Sequence, residues 1–285
     1  MIKRLTIFGV GLIGGSLAMA LRAAGTCHEV VGCSRSEKHL HQALERGVID
    51  RYTLDPAEAV QGADMVVLAV PLGAMRSVCA AIRGHLAPEA ALTDVGSAKA
   101  SVVEAVREGF GEMPLNFVPG HPIAGTEKSG VTAAFPGLFH GRRVILTPLE
   151  TSDLGALARV RTMWEETGAV VETLSVAHHD EVLAATSHLP HLLAFGLVDS
   201  LARMGERDEI FRYAAGGFRD FTRIASSDPV MWRDICLANR EAILQVMAGY
   251  QQDLGLITRA IETGDGDALL EIFQRAKTAR DEFCQ

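Results

Sequence analysis

Three glycines near the start of the chain, Gly9, Gly11 and Gly14, constrain the fold more than any other feature. They follow an apolar, β-prone run that ends at Phe8, and a helical pattern over residues 12–24 begins among them. A GxGxxG motif between a strand and a helix is typical of the first turn of a dinucleotide-binding domain. The first glycine permits a tight turn, the second lets the backbone approach a pyrophosphate, and the third lets the helix pack on the strand.

The periodicity of the sequence changes about two thirds of the way along the chain. In the first part, continuous apolar runs take turns with helical patterns. Such runs are typical of strands buried on both faces of a parallel sheet. We therefore expect a doubly wound, Rossmann-type α/β domain over residues 1–174 and an all-helical domain over residues 175–285. The expected strands are residues 5–8, 29–33, 63–70, 90–95, 117–118, 144–146 and 170–171; the expected helices are 12–24, 74–83, 101–108, 180–204, 232–259 and 267–282.

Composition excludes several classes of protein. The net charge is −8, with no basic stretch that could follow a nucleic-acid backbone, so we expect no nucleic-acid partner. The cysteines are odd in number and form no CxxC pair, which favours reduced thiols in the cytoplasm; they are Cys27, Cys33, Cys79, Cys236 and Cys284. We expect neither a signal peptide nor a membrane-spanning segment. The long apolar helices of the second half favour a homodimer formed through that half.

The end of the second expected strand bears on the choice of cofactor. NAD-binding domains tend to carry an acidic residue there for the ribose hydroxyls, whereas this chain has Ser34 and Arg35. Because an arginine beside hydroxyl groups suits a 2′-phosphate, we favour NADP, with NAD as the alternative if Arg35 only stacks on the adenine. The residues expected to bind the cofactor are Gly9, Gly11, Leu12, Ile13, Gly14, Ser34, Arg35, Val70 and Pro71.

Four polar segments are candidates for the chemical site: residues 94–99, 120–130, 186–191 and 216–225. The second is rich in glycine and is expected to be a shaped loop that carries His121. In the third, His188 and His191 are three residues apart and would share one face of a helix that Pro190 kinks. Either histidine can also be a packed helix residue. No HExxH pattern is present, and we expect no metal.

The fourth segment offers a cation for an acidic substrate. Arg223 lies close to a Gly-Gly turn and can bind a carboxylate. The alternative is an ion pair at the end of a helix between Arg223 and Asp220.

Taken together, the motifs GVGLIGGSLA, DVGSAK, HPIAGTEKSG, SHLPH and GGFRDFTRIA followed by DPVMW resemble prephenate/arogenate dehydrogenase, the TyrA family of tyrosine biosynthesis. The resemblance runs from the first strand to Trp232. HPIAGTEKSG is its most specific part, since β-hydroxyacid dehydrogenases share only the first motif.

The resemblance implies an oxidative decarboxylation. Hydride passes from the ring carbinol of prephenate or arogenate to NAD(P), the ring carboxylate leaves as carbon dioxide, and 4-hydroxyphenylpyruvate or tyrosine is formed. By the motif match, His121 accepts the hydroxyl proton and Ser97 orients His121 or that hydroxyl. The other residues that the match places at the substrate are Arg223 at a carboxylate, His191 and His188 from the helical domain, Thr126 and Glu127 at the pocket mouth, and Trp232 from a partner subunit.

Two other functions fit part of the same sequence. One is a different two-domain NAD(P)-dependent dehydrogenase or imine reductase, and the other is a non-catalytic NADP-sensing protein. The motifs also leave open whether prephenate or arogenate is preferred.

Overall fold

A parallel sheet of six strands lies at the centre of the N-terminal half in the computed structural model, which describes residues 1–126, 128–205 and 207–283. Its strands are β1 (Ile2–Phe8), β2 (Cys27–Cys33), β3 (Arg51–Thr53), β4 (Met65–Leu68), β5 (Ala91–Asp94) and β6 (Phe117–Val118). Their spatial order is β3-β2-β1-β4-β5-β6, which is the order of a dinucleotide-binding Rossmann sheet. The chain reverses its direction of winding between β1 and β4, and such sheets bind ligands at that point.

Helices cover both faces of this sheet, and each face has its own apolar core. The helices are α1 (Leu12–Ala23), α2 (Glu37–Glu45), α3 (Pro56–Ala59), α4 (Met75–Ile82), α5 (Lys99–Phe110) and α6 (Leu154–Glu165). In β1, Leu5 and Ile7 belong to one core and Phe8 to the other. The doubly wound fold predicted from the apolar runs is confirmed.

A second, three-stranded sheet contains the first residues of the predicted glycine-rich loop. It consists of β7 (Gly120–Pro122), β8 (Arg143–Leu146) and β9 (Val170–Thr173), with β7 antiparallel and β9 parallel to β8. His121 pairs with Ile145 across this sheet. The prediction of a loop is therefore wrong for residues 120–122, because three residues without apolar alternation form a strand only through the partner that β8 provides.

The helical segment that follows has one irregular turn. Its elements are α7 (Val176–Leu183), a π-helical turn (Ala184–His188), α8 (Leu189–Ala202), α9 (Arg207–Arg212), α10 (Gly216–Thr222) and α11 (Pro229–Ala238). In the π turn, the N–H of Leu189 donates to the carbonyl of Ala184, five residues earlier. This wider turn lies where the sequence predicts a kink, because Pro190 has no N–H and its ring would strike the carbonyl of residue 186 in a regular helix.

The chain divides into two compact units, residues 1–240 and 241–285. The second unit consists of most of α12 (Arg240–Thr263) together with α13 (Gly266–Phe283). The sequence predicts one helix over 232–259, but the chain leaves the helical conformation at Asn239 (φ −110°, ψ 34°), which separates α11 from α12. Asp265 accepts a hydrogen bond from the N–H of Ala268 at the start of α13.

One described helical run, Val176–Ala202, is long and apolar enough to cross a bilayer, although no such run was expected from the sequence. The run carries His179 and Asp180, which are both buried inside the first unit. Length and composition alone do not distinguish such a run from a core helix.

The close packing of α1 on β1 makes a testable prediction about Gly14. A Cβ at Gly14 would lie 2.4 Å from the carbonyl oxygen of Gly9 and 2.8 Å from Ile7. We expect Gly14→Ala to lower the free energy of unfolding by about 1–3 kcal/mol, since backbone must move. Gly196→Ala is the matched control, because Gly196 is exposed on α8 with nothing within 4 Å of its Cβ position; it should stabilise by about 0.5–1 kcal/mol. Equal urea midpoints for the two variants would contradict this packing.

Candidate active site

The carboxyl ends of β1, β2 and β4 enclose a crevice with the dimensions of a nucleotide site. Its volume is about 630 Å³, and its lining includes Gly9, Ser34, Arg35, Val70 and Pro71, all predicted to bind the cofactor. Arg35 is exposed there, as expected of a side chain that meets a ligand from solvent.

The glycine turn beside the crevice fits a pyrophosphate. Gly9 has φ +90°, and a Cβ at this position would lie 2.2 Å from the carbonyl oxygen of Ala69. By contrast, nothing lies within 4 Å of the Cβ position of Gly11. Leu12 and Ile13 form the start of helix α1, directly after Gly11. The N–H groups of this first turn have no partner within the helix and can bind a phosphate. The residues present thus suit a dinucleotide.

A buried ion pair holds the backbone next to His121. Lys99 and Asp94 are both fully buried, with Nζ 2.5 Å from Oδ2. Lys99 Nζ also donates to the carbonyl of Gly120 at 2.6 Å, and the N–H of Gly120 donates to Asp94 Oδ1 at 3.1 Å. Burial lowers the pKa of Lys99, although the charge of Asp94 opposes that shift. Both backbone groups of Gly120 are therefore fixed, and with them the position of His121.

His121 is the first member of a chain of hydrogen bonds that ends at a carboxylate. Its Nδ1 lies 2.9 Å from His179 Nε2, and His179 Nδ1 lies 2.8 Å from Asp180 Oδ1. The backbone N–H groups of Lys99 and Ala100 donate to Asp180 at 2.7 and 2.9 Å. Asp180 thereby accepts from the first turn of α5, whose N-cap residue provides no side-chain hydrogen bond.

The surroundings favour neutral His121 and ionised Asp180. Burial lowers the pKa of His121 well below its usual 6.5, and the Lys99 charge, His179 and His188 lower it further. Burial alone would raise the pKa of Asp180, but hydrogen bonds from His179 and from the backbone hold it below its usual value. The neutral imidazole of His121, which is linked through His179 to the ionised carboxylate of Asp180, can accept a proton.

A second cluster joins Trp232 to His188 and His191, the two histidines predicted to share a helix face. Trp232 stacks on His191 with ring centroids 3.7 Å apart, and its ring centroid lies 6.0 Å from that of His188. His191 Nδ1 donates to the carbonyl of Ser187 at 2.9 Å. Trp232 is 8% exposed. Within the chain its ring packs on His191, and its contact with the site of a partner subunit stays a prediction.

Two buried nitrogens of this second cluster have no hydrogen-bond partner among the described residues: His188 Nε2 and Trp232 Nε1. The amide nitrogen of Asn239 donates to the carbonyl of Asp180 at 2.8 Å and lies 3.1 Å from His188 Nδ1. His188 Nδ1 must therefore accept, which leaves the proton on Nε2. Burial lowers the pKa of His188 to about 4, so this neutral form persists. Both nitrogens are thus buried donors without a partner among the described residues.

The remaining predicted substrate residues lie in different environments. Arg223 is exposed, and its charge contributes to the lowered pKa of His191, which burial mainly causes. Ser97 is half-buried in the turn after β5, while the partner of His121 Nδ1 is His179. Thr126 is exposed and accepts a hydrogen bond from the N–H of Lys128. Glu127 lies outside the described residues.

Sequence reasoning placed Asp94 and Lys99 in a candidate segment without giving them a role, and it missed His179, Asp180 and Asn239. Asp94 ends an apolar run, and a carboxylate buried in such a strand needs a partner, so Lys99 five residues later was a usable signal. For His179 and Asp180 the only signal was a polar HHD triplet at the start of a helical pattern. Asn239 gave none, because it lies inside one predicted helix.

Comparisons with known proteins agree on one family. The model of the prephenate dehydrogenase nucleotide-binding domain matches residues 17–173, and that of the prephenate dehydrogenase dimerization domain matches residues 175–275. The chain is 40% identical to cyclohexadienyl dehydrogenase of Zymomonas mobilis over 280 residues, which covers 98% of this chain and 95% of the relative.

Solved structures give the same result. Prephenate dehydrogenase from A. aeolicus, in complex with hydroxyphenyl propionate and NAD+, is similar with a TM-score of 0.92 at 37% identity over 99% of both chains. Synechocystis arogenate dehydrogenase is similar with a TM-score of 0.82 at 29% identity, over 98% of this chain and 99% of the other. The chain therefore belongs to the prephenate dehydrogenase family of oxidoreductases.

Proposed function

We propose that this protein oxidises prephenate, arogenate or both with NAD(P), in the dehydrogenation step of tyrosine biosynthesis. The observation that carries the proposal is the chain His121–His179–Asp180, which presents a neutral imidazole in a buried site. The relatives named for prephenate, cyclohexadienyl and arogenate substrates support the same reaction. Another dehydrogenase, an imine reductase or an NADP-sensing protein receives no support from the comparisons.

His121 has the central role in the proposed mechanism. It accepts the proton of the ring hydroxyl as the carbinol carbon loses hydride, while Ser97 holds the same hydroxyl. A nicotinamide bound in the crevice supplies the hydride acceptor. The ring carboxylate leaves as carbon dioxide, and its bonding electrons complete the aromatic ring. Because aromatisation drives this loss, no metal is needed.

Substrate carboxylates need local positive or donor groups on a protein of net charge −8. We assign this role to Arg223 and to the buried donors His188 Nε2 and Trp232 Nε1. His191, bonded through Nδ1 to a backbone carbonyl, keeps an acceptor at Nε2 for the substrate. Thr126 and Glu127 complete the proposed pocket mouth.

We further propose NADP as the preferred cofactor, with NAD as the alternative. The exposed Arg35 beside Ser34 on the lining of the crevice supports a contact with a 2′-phosphate. The A. aeolicus relative with NAD+ supports a nicotinamide cofactor in general.

A cytoplasmic homodimer is the proposed state of the protein, with residues 1–174 as dinucleotide-binding domain and 175–285 as substrate and dimerisation domain. Only 22% of the most apolar window of Val176–Ala202 is buried, and exposed apolar side chains recur in the second unit, among them Leu244, Leu254, Ile261 and Phe273. Such faces favour a second copy as partner. The four described cysteines are free thiols, which fits a reducing compartment.

The activity is tested with four mixtures, in which prephenate or arogenate is combined with NAD or NADP and reduced nicotinamide is followed by absorbance. We expect turnover in at least one mixture. His121→Asn should lower kcat by about 100- to 10,000-fold, because the proton acceptor is lost, and should leave cofactor affinity unchanged. Silence of the wild-type protein in all four mixtures would overturn the proposed function.

The pH dependence follows from the lowered pKa of His121. Only the neutral imidazole accepts a proton, so kcat/KM should fall as pH drops through the pKa of His121. Since that pKa lies well below 6.5, the profile should be level near neutral pH and fall only in the acid range. A loss of activity centred above pH 6.5 would mean that another group controls the reaction.

Cofactor choice is tested with Arg35→Ala. The variant should raise KM for NADP by roughly 10- to 100-fold, through loss of a charged hydrogen bond, and leave KM for NAD unchanged. Lys38→Ala is the matched control, since it removes the same charge from an exposed position three residues away. If Arg35→Ala and Lys38→Ala change KM for NADP equally, the specific contact is disproved.

A further inference from the structure

The direction of every hydrogen bond in the chain from His121 to Asp180 is fixed at one end by the backbone. The N–H groups of Lys99 and Ala100 can only donate, and each donates to one oxygen of Asp180. These bonds help to hold the pKa of Asp180 below its usual value, so the group is ionised and both of its oxygens can only accept. His179 Nδ1, at 2.8 Å from Oδ1, must therefore carry a proton and donate it.

This assignment determines the next bond. A neutral imidazole with its proton on Nδ1 has a lone pair on Nε2. His179 Nε2 lies 2.9 Å from His121 Nδ1, so His121 Nδ1 must donate. The proton of neutral His121 then sits on Nδ1, and its lone pair on Nε2. His121 Nε2 makes no hydrogen bond with any described residue, which leaves that lone pair for a substrate.

We infer that His179 and Asp180 are positioning residues, which hold His121 in the tautomer whose Nε2 can accept a proton. The inference rests on the proposed function, in which His121 is that acceptor. With the opposite tautomer, Nε2 would carry hydrogen and could not take the hydroxyl proton. Because the tautomer is fixed before the substrate binds, no proton has to move between the ring nitrogens of His121 in the reaction step.

The same arrangement serves the charged state of His121. When His121 takes a proton on Nε2, its Nδ1–H bond to His179 gains a charged donor and becomes stronger. The carboxylate of Asp180 at the far end of the chain offsets the new positive charge, whereas the ammonium of Lys99 opposes it. No side chain needs to move, because each bond already has the required direction.

Asp180 is a poor target for the test, because it also binds the start of α5 and any substitution there disturbs the fold. His179 allows a cleaner comparison. Leucine removes the acceptor at Nε2, while glutamine can place an amide oxygen near the same position. If His179 had only a structural role, His179→Gln would not be expected to restore the kcat that His179→Leu loses.

The deciding measurement is the ¹⁵N spectrum of the full-length protein with labelled histidine, recorded without substrate. The signals of His121 are assigned by their loss in His121→Asn. We expect a protonated Nδ1 and an unprotonated Nε2 in the wild type, with a shift toward protonated Nε2 in His179→Leu. Protonated Nε2 in the wild type would overturn the inference whether or not the protein turns over prephenate or arogenate.

Kinetics give the second readout. His179→Leu should lower kcat by roughly 100-fold with little change in KM or cofactor affinity, and His179→Gln should recover to within about tenfold of wild type. His178→Leu is the matched control, because the neighbouring His178 is exposed. Equal kcat for the leucine and glutamine variants would overturn the inference. Should His179→Leu fail to fold, the wild-type and His179→Gln spectra still decide it. Silence in all four mixtures with the expected tautomer would refute only the proposed function.

Discussion

The site depends on the hydrogen bonds that the carboxylate of Asp180 accepts. A buried anion is tolerated only if its oxygens are hydrogen-bonded, and here the donors come from two helices: backbone N–H groups at the start of α5 and the imidazole of His179 on α7. The carbonyl of the same residue accepts from Asn239, at the end of α11. Satisfying one residue therefore fixes three helices relative to one another and to His121.

The buried pair of Lys99 and Asp94 complements this arrangement from the sheet side. Its charges cancel, so the site gains no net charge from it, yet together the two side chains bind both backbone groups of Gly120. Lys99 takes part in both arrangements, since its N–H also binds Asp180. The imidazole of His121 is thus constrained through its backbone by one network and through Nδ1 by the other. Such double support reduces motion of a reacting group.

Sequence patterns predicted the fold well because local periodicity encodes burial. Gly9, Gly11 and Gly14, with the apolar runs, were sufficient for the Rossmann sheet and its ligand crevice. The short strands β3 and β7 escaped prediction, since pairing rather than composition makes them strands. The candidate site was predicted only in part: the motifs pointed to His121, His188 and His191, but not to His179, Asp180 and Asn239, which orient them.

Those orienting residues are distant in sequence, which explains why they were missed. Asp180 is 80 residues or more from the backbone it binds, and Asn239 is 51 residues from His188. No local pattern encodes a hydrogen bond across such separations. Their roles follow only once α5, α7 and α11 are brought together, and a polar residue in an apolar helix is the sole trace in the sequence.

The π turn at Ala184–His188 holds one residue more than an α-helical turn would. Each residue of an α-helix adds about 100° of rotation, so one extra residue in regular α-helical geometry would turn α8 by that angle relative to α7. The π turn takes up the extra residue instead, because its hydrogen bond spans five residues and not four. His179 and Asp180 before the turn and His191 after it therefore keep about the relative phase of a continuous helix, although the chain between them is one residue longer.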